Sequence, residues 1–399
     1  MALIGPRDGA PLVPKRDYCA RIAELACGVE AFSRAAGMAV EIDENLVTER
    51  AAFLGLRRGG TISANGKCRM VRASDGWLAV NLPRDDDIEL IPAWLGCEAG
   101  DDIWQTIEQA ARAAPCARLA ENAQLLGLAV ARVGDSFAPP PFIVPMGAPG
   151  ARRKERPLVL DMSSLWAGPL CGALLAEAGA DVVKLESPSR PDGARFGDPS
   201  FFARLNANKR MLALDLPQDR DTLRKLFAAA DIVIESARPR VLAQWGFKLS
   251  DIFEANPYLI WISVTAYGRK SARANWVGFG DDVAAAAGLV VETTEAVPIF
   301  VGDAIADPLT GLAAAASAFA GLAAGGGFLI DASLFAAAAY VAAAPPLEDA
   351  ATVEWHDGAW LLHSDGWFEP VRAPAANPVP DKVKALGADS KAVLREILP

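Results

Sequence analysis

"PLVLDMSSLWAGPLCGALLAEAGADVVKLES" (157–187) reads as strand, turn, helix, strand. "PLVLDM" (157–162) is a short apolar run, and "AGPLCGALLAEAGA" (167–180) is a turn and helix closed by Gly179. "DVVKLES" (181–187) is a second apolar strand. A strand–helix–strand unit requires two parallel strands joined by a crossover, and therefore a sheet covered on both faces. The alternation continues downstream. Strands are expected at 210–216, 231–236 and 259–268, with helices at 219–229 and over "PRVLAQWGF". A helix at 308–324 and a strand at 327–334 extend the same layer. Residues 158–345 are thus read as a large, open α/β domain whose ligands lie beyond the carboxyl ends of the strands.

Residues 1–135 read as a smaller α+β domain. "DYCARIAELACGVEAFSRAAGMAV" (17–40) has helical spacing of its apolar residues. "CRMVRASDGWLAVNL" (68–82) reads as a hairpin turning at Ser74-Asp75-Gly76. Helices follow near 86–95, 101–113 and 116–126. The Pro-rich segment 136–157 ends in a basic cluster and has the composition of a linker. Residues 346–399, with Trp355, Trp360 and Trp367, read as a tail packed back on the large domain.

The 399 residues are 52% hydrophobic and carry a formal charge of −10. A chain this acidic lacks the basic surface that nonspecific nucleic-acid binding needs, so no nucleic-acid partner is expected. The six cysteines show no C-x-x-C pair and there are two histidines, which argues against a metal site. The irregular cysteine spacing fits a reducing cytoplasm, and the N-terminus has no signal-peptide pattern. The Ala- and Leu-rich stretch 309–345 is interrupted at Gly325-Gly326-Gly327 and at Asp331. Neither half reaches the roughly 20 apolar residues a membrane span needs, so two buried core segments are expected and no membrane partner.

A nicotinamide-binding reading of the first βαβ unit, with Glu186 at the end of its second strand, is weighed against its turn. "AGPLCG" has glycines only at 168 and 172, so the G-x-G-x-x-G that admits a pyrophosphate is absent.

"VLDMSSLWAGPLCGALLAEAGADVVKLESP" (159–188) and "LNANKRMLALDL" (205–216) resemble the start of the class III CoA-transferases. That family includes formyl-CoA transferase and carnitine CoA-transferase, with α-methylacyl-CoA racemase as a close relative. The resemblance continues through "ADIVIESARPRVLAQWGF" (230–247), "NPYLIWISVTAYG" (256–268), "VGFGDDVAAAAGL" (277–289) and "IADPLTGLAAAASAFAGL" (305–322), and then through "GGFLIDASLFAAA" (326–338). It implies a Rossmann-like large domain. It also implies that "RMVRASDGWLAVNLPRDDDIELIPAWLG" (69–96) is the family's small domain, placed before the large one in a permuted chain order.

The resemblance further implies a reaction. An aspartate attacks an acyl-CoA thioester to give a mixed anhydride, which the CoA thiolate converts into an aspartyl-CoA thioester. The aspartate of the family motif corresponds to Asp307, and Asp303 is the nearer alternative. Read from the residues alone, Asp307 followed by Pro308 is equally a helix cap with proline in the first turn. The CoA contacts implied are Trp166 and Ala167, then Asn206, Asn208, Lys209 and Arg210, then Ser236, Ala237 and Arg238, then Thr265, Ala266, Tyr267 and Gly268. CoA esters are substrates, no tightly bound cofactor is implied, and the implied assembly is a homodimer of two interlinked chains.

The chain departs from the pattern in places. Two arginines that formyl-CoA transferase uses near the nucleotide correspond to Ser187 and Gln244, leaving Arg190, Arg240 or Arg269 as substitutes. The shielding glycine loop falls near "RRGGTISANG" (57–66), which keeps the Gly59-Gly60 pair. In the racemase's G-H-D segment Phe279 takes the histidine's place and Gly280 the aspartate's, leaving Asp281 or Asp282 as stand-ins. Phe279, Val283 and Leu289 suggest an apolar lining for an acyl group. A catalytically silent CoA-binding paralogue and a racemase stand as the alternative readings.

Overall fold

A computed structural model describes residues 2–43, 45–98, 100–140, 142–150, 155–216, 218–348, 351–364, 367–379 and 382–398. Three strands, β1 (Cys68–Ala73), β2 (Gly76–Asn81) and β3 (Ala129–Arg132), form a small antiparallel sheet in that order. The hairpin register pairs Ala73 with Gly76 across the expected turn. Helices Ile103–Ala111 and Cys116–Leu125 cover it, and Val71, Leu78, Val80, Ile107, Leu119 and Leu128 make a core of their own.

The main sheet holds β4 (Ile143–Pro145), β5 (Leu158–Met162), β6 (Asp181–Glu186), β7 (Arg210–Ala213), β8 (Ile232–Glu235), β9 (Ile260–Thr265) and, after the hairpin β10 (Val290–Glu292) and β11 (Pro298–Phe300), β12 (Phe328–Ser333). Its order is β4-β12-β9-β8-β5-β6-β7, parallel except for β4. Every residue of β9 is buried, as an interior strand covered on both faces requires. The chain leaves β5 toward β6 and β7, then returns to lay β8 on the other side of β5. That reversal opens a crevice outside the carboxyl ends of β5 and β8, where α/β sheets bind ligands.

Helix Ala306–Ala323 lies buried between helices Ala167–Glu177 and Tyr18–Ala35. Small residues make this possible: a Cβ on Gly311 would stand 2.8 Å from Leu170 Cδ2 and 3.0 Å from the Ala167 carbonyl. The chain continues through Gly325–Gly327 into β12 and helix Leu334–Ala342. Among the described residues no helix is long and apolar enough to cross a membrane.

The domain boundaries differ from the expected ones. Tyr18–Ala35 packs along Ala306–Ala323, and Val29, Val40 and Leu46 join the main core, so the first 50 residues belong with the large layer. The expected 136–157 linker carries β4, which pairs antiparallel with β12; Pro145 is tolerated because an edge strand needs no donor on its outer side. Pro141 and residues 151–154 of that segment, with most of its basic cluster, lie outside the described residues. In the tail, helix Ser390–Ile397 buries Val393 against the face that carries β7, while β13 (Thr352–His356), β14 (Ala359–Ser364) and β15 (Trp367–Pro370) form a largely exposed sheet. All six cysteines are free thiols.

Candidate active site

Asp307 is the second residue of its helix, which starts at Ala306 with Ile305 in the cap position. No side chain caps that end, so the expected helix-cap role is not the one Asp307 plays. Its carboxylate is partly exposed and abuts Gly280: a Cβ built there would lie 2.3 Å from Asp307 Oδ2. Just upstream, Ala304 has a left-handed backbone (φ 42°), a conformation that costs an alanine about 1–2 kcal/mol. The surroundings hold it there. Its N–H donates to Asp281 Oδ1 at 2.7 Å and its carbonyl accepts the Asp307 N–H at 2.9 Å.

Four carboxylates crowd this point. Asp281 and Asp303 are bridged by Asn65, whose Nδ2 donates to Asp281 Oδ2 at 2.7 Å and to Asp303 Oδ1 at 3.2 Å. The Asn65 amide is oriented by Ser63 and the Lys67 N–H, which both donate to its Oδ1. Asn81 Nδ2 donates to Asp282 Oδ1 at 2.8 Å, while Asp282 Oδ2 is buried with no hydrogen-bond partner among the described residues. Arg50 Nη1 donates to Asp303 Oδ2 at 2.8 Å. Burial pushes the Asp307 carboxyl up to about 7; Arg50 pulls against that, and Asp281 and Asp303 add to it. Burial likewise raises Asp282 to about 8 and, together with its neighbour Asp303, raises Asp281 to about 6. Asp303 is raised by burial, partly offset by Arg50. With its oxygens taken by Arg50 and Asn65 and 1% exposed, Asp303 is less available than Asp307.

Arg50 links this cluster to the turn after β5. Its guanidinium lies 5.3 Å from the Trp166 ring centre and 5.6 Å from that of Phe201. Arg204 anchors the short helix Glu49–Phe53, which carries Arg50, with Nε 2.8 Å from Glu49 Oε1 and Nη1 bound to Glu177. In the turn itself Leu165 is left-handed (φ 71°) and exposed. Asp192 accepts its N–H at 2.9 Å, and buried Lys184 bonds both Asp192 and the Ser163 carbonyl. The Ser164 N–H donates to Ser236 Oγ at 3.0 Å, which ties the ends of β5 and β8 together.

Trp166, Ala167, Ser236, Ala237 and Arg238 therefore gather at the crevice. Partial burial, then the charges of Arg240, Arg84 and Arg190, holds Arg238 below the usual arginine range. These cations come from three parts of the chain and act on Arg238 together, although Arg84 is itself paired with Asp87 and bonded to the Gly127 carbonyl. Arg269 does not join them, because it is bound to Glu235 and Ser263. The N-x-N-K-R residues are placed differently. Lys209 is buried with its ammonium bonded to Asp161, the Pro169 carbonyl and Asn206, so no proton is left for a phosphate. Asn206 is buried beside it, and Asn208 is exposed. Arg210 starts β7, at the edge opposite the crevice, and pairs with Asp181 and Glu396. Thr265 bonds Asp331 and the Gly268 N–H. Tyr267 is a core residue against Phe137 and Phe335, and a Cβ on Gly268 would meet Pro140 at 2.3 Å, so Ala266 and its neighbours lie beneath the 137–140 segment. Val283 and Leu289 are core residues, not a lining.

The family model for CoA-transferase family III matches residues 157–359, half of the chain. The chain belongs to CoA-transferase family III. A succinyl-CoA–D-citramalate CoA-transferase of Chloroflexus aurantiacus is 33% identical over 187 residues, 43% of this chain and 46% of that protein. A succinate–glutarate CoA-transferase of Agrobacterium fabrum is 32% identical over 171 residues, 39% of this chain and 43% of that protein. Among solved structures, a CAIB/BAIF family protein from Brucella suis is 30% identical with a TM-score of 0.44, covering 47% of this chain and 54% of that one. The chain thus spans less than half the length of the curated relatives it matches. The matched span contains the crevice and Asp307, whereas Arg50, Asn65, Asn81 and Arg84 lie outside it. Those four carry no spacing signal of their own, and only the fold brings them to the site.

Proposed function

We propose that this chain is a CoA-transferase that moves CoA between an acyl-CoA and a carboxylic acid, with Asp307 as nucleophile. The observation that carries the reading is the setting of Asp307: a partly exposed carboxylate that accepts the Gly280 N–H and does not cap its own helix, behind the left-handed Ala304, at the start of a buried helix. The helix N-terminus favours its anionic form, while burial keeps it reactive near neutral pH.

An Asp307 oxygen attacks the thioester carbonyl, the C–S bond breaks, and the CoA thiolate leaves a mixed anhydride. The thiolate then attacks the Asp307 side-chain carbonyl and expels the donor carboxylate, giving an aspartyl-CoA thioester. The acceptor carboxylate attacks that thioester and the sequence runs in reverse. No water or proton is consumed, so the site has to exclude water from two activated acyl groups. The adenine-nucleotide end of CoA suits Arg238, Arg240, Arg190 and Arg84, with Trp166, Ala167, Ser236 and Ala237 along the crevice. The relatives' names pair short carboxylic acids, which makes such acids the first substrates to try. The chain order, with the β1–β3 sheet ahead of the large sheet, fits a permuted family member, and a homodimer is the assembly proposed with it.

A silent CoA-binding paralogue is the second reading. It draws on Ser187 and Gln244, on the sealed Lys209 and on the covered Thr265–Gly268 turn. Mass spectrometry of the intact protein after incubation with acyl-CoA esters, trapped with hydroxylamine or borohydride, separates the two. An adduct on Asp307 that is absent from Asp307→Ala supports the transferase. CoA binding with no adduct from any ester supports the silent paralogue.

A further inference from the structure

The cations around the crevice fall into two groups. One is the Arg190, Arg238 and Arg240 field at the ends of β6 and β8, joined from beyond β2 by Arg84, which is itself paired with Asp87. Most other cations near the site are already neutralised: Lys184 by Asp192, Lys209 by Asp161, Arg195 by Glu186, Arg269 by Glu235 and Arg273 by Asp135. Arg50 is paired as well, with Asp303, but keeps donors to spare. Asp303 takes one donor of its guanidinium, and among the described residues no other hydrogen bond from it is formed. Its side chain is 22% exposed, so the remaining edge of the fork faces accessible space. It is also the one cation that acts on Asp281, Asp303 and Asp307 together.

The fork is held in place. Trp166 and Phe201 bound it, which desolvates its surroundings without using its N–H groups. The neighbouring Glu49 is locked to Arg204. The indole N–H of Trp166 is buried and also lacks an acceptor among the described residues. Unused donors therefore stand near a nucleophilic carboxylate with no acceptor of their own. A planar fork with a free edge matches a carboxylate in a way that a lysine does not.

We propose that Arg50 docks a carboxylate of the acid substrate beside Asp307. The proposal rests on the transferase reading. The nucleotide field anchors one end of the CoA ester, and Arg50 receives the acid at the other. A carboxylate approaching the Asp281, Asp303 and Asp307 carboxyls meets repulsion from those that are ionised, and Arg50 is the cation placed to offset it.

The test is calorimetric titration of the full chain with acetate, butyrate, succinate and glutarate, in the presence of CoA, for the wild type, Arg50→Lys and Arg50→Gln. It measures binding and needs no turnover, so it reports on Arg50 even if Asp307 forms no adduct. The expected result is saturable binding by the wild type. Arg50→Lys, which keeps the charge beside Asp303, weakens it by about tenfold or more, the worth of one charge-assisted hydrogen bond. Arg50→Gln weakens it further. Loss for every acid assigns Arg50 to the reacting carboxylate. Loss confined to succinate and glutarate assigns it to a second carboxylate. Unchanged affinity in a folded Arg50→Lys, or no saturable binding of any acid by the wild type, overturns the proposal.

Discussion

Asp281 accepts the backbone N–H of Ala304 at 2.7 Å, and so holds a left-handed alanine three residues before Asp307. An exposed loop would relax such a conformation, but here a buried carboxylate fixes it. Asp281→Ala leaves that N–H unpaired in the interior and removes one of the two acceptors of Asn65. The expected cost is about 1–3 kcal/mol of stability, with a fall in adduct formation at Asp307. Asp281→Asn keeps an oxygen for Ala304 and is expected to recover most of the stability. Thermal melts of the two variants, beside the trapping assay, check this.

Gly280 and Asp307 give a sharper steric prediction. A Cβ at position 280 would lie 2.2 Å from the Ala304 carbonyl oxygen and 2.3 Å from Asp307 Oδ2. Backbone cannot yield cheaply at that distance, so Gly280→Ala has to displace either the Ala304 turn or the Asp307 carboxylate. Adduct formation is expected to drop by at least about tenfold, with a stability loss of about 1–3 kcal/mol from overpacking. A variant with wild-type rates would show that Asp307 moves freely, and would detach its function from this geometry.

The acidic cluster also sets pH dependence. With the Asp307 carboxyl raised to about 7, its ionised form is lost as pH falls below neutrality, and the proposed acyl transfer to it is expected to slow with it. Removing the positive charge of Arg50 takes away the main influence that lowers this value, so Arg50→Gln should move the profile to higher pH. Asp307→Asn should abolish the adduct at every pH and lower turnover by on the order of a thousandfold or more.

Much of this architecture was readable beforehand, and the failures have physical causes. Strands β5, β6, β8 and β9 announced themselves because strands buried on both faces are continuous apolar runs. Strand β4 did not, since three residues ending in Pro145 carry no periodicity and look like linker. The motif around Asp307 put it forward as a candidate, as the motifs around Trp166 and Arg238 did for them. Lys209 was misplaced in function because its motif says nothing about burial, and only the fold reveals the aspartate beneath it. Arg50 carried no signal, and Asn65 only its place in the 57–66 segment set against the family's shielding loop: they reach Asp303 across 253 and 238 residues of sequence, a separation that no local pattern encodes.

Asp282 offers a stability test independent of activity. Its folded pKa is raised to about 8 by burial, far above the unfolded value, so the folded state binds the proton more tightly. The stabilisation is therefore fully present below about pH 4 and is lost as pH rises through about 8, by up to about 1.4 kcal/mol per pH unit for this group. Asp307 and Asp281, raised to about 7 and about 6, act in the same direction over narrower windows. Asp282→Asn mimics the protonated form, and its amide oxygen can still accept the Phe279 N–H. The melting temperature of the variant should lie nearest the wild type's at about pH 4 and exceed it by a growing margin as pH rises toward 8. Parallel curves at all pH values would mean that Asp282 is ionised in the folded protein.

The last prediction separates the two ends of the sheet. Arg238 sits at the crevice among like charges, whereas Arg210 sits at the opposite edge with Asp181 and Glu396 already on it. Arg238→Gln should weaken CoA-ester binding by about tenfold, the effect of losing one charge-assisted contact to phosphate, and should flatten its salt dependence. Relief of repulsion among Arg84, Arg190 and Arg240 should leave the free protein as stable as before or slightly more so. Arg210→Gln should do the reverse: affinity unchanged, stability lowered by about 0.5–1 kcal/mol as two partly exposed ion pairs go. Equilibrium binding of a CoA ester at two salt concentrations, with melts of both variants, tests the pair. If Arg210→Gln were the variant that lost affinity, the nucleotide would bind outside the β5–β8 crevice.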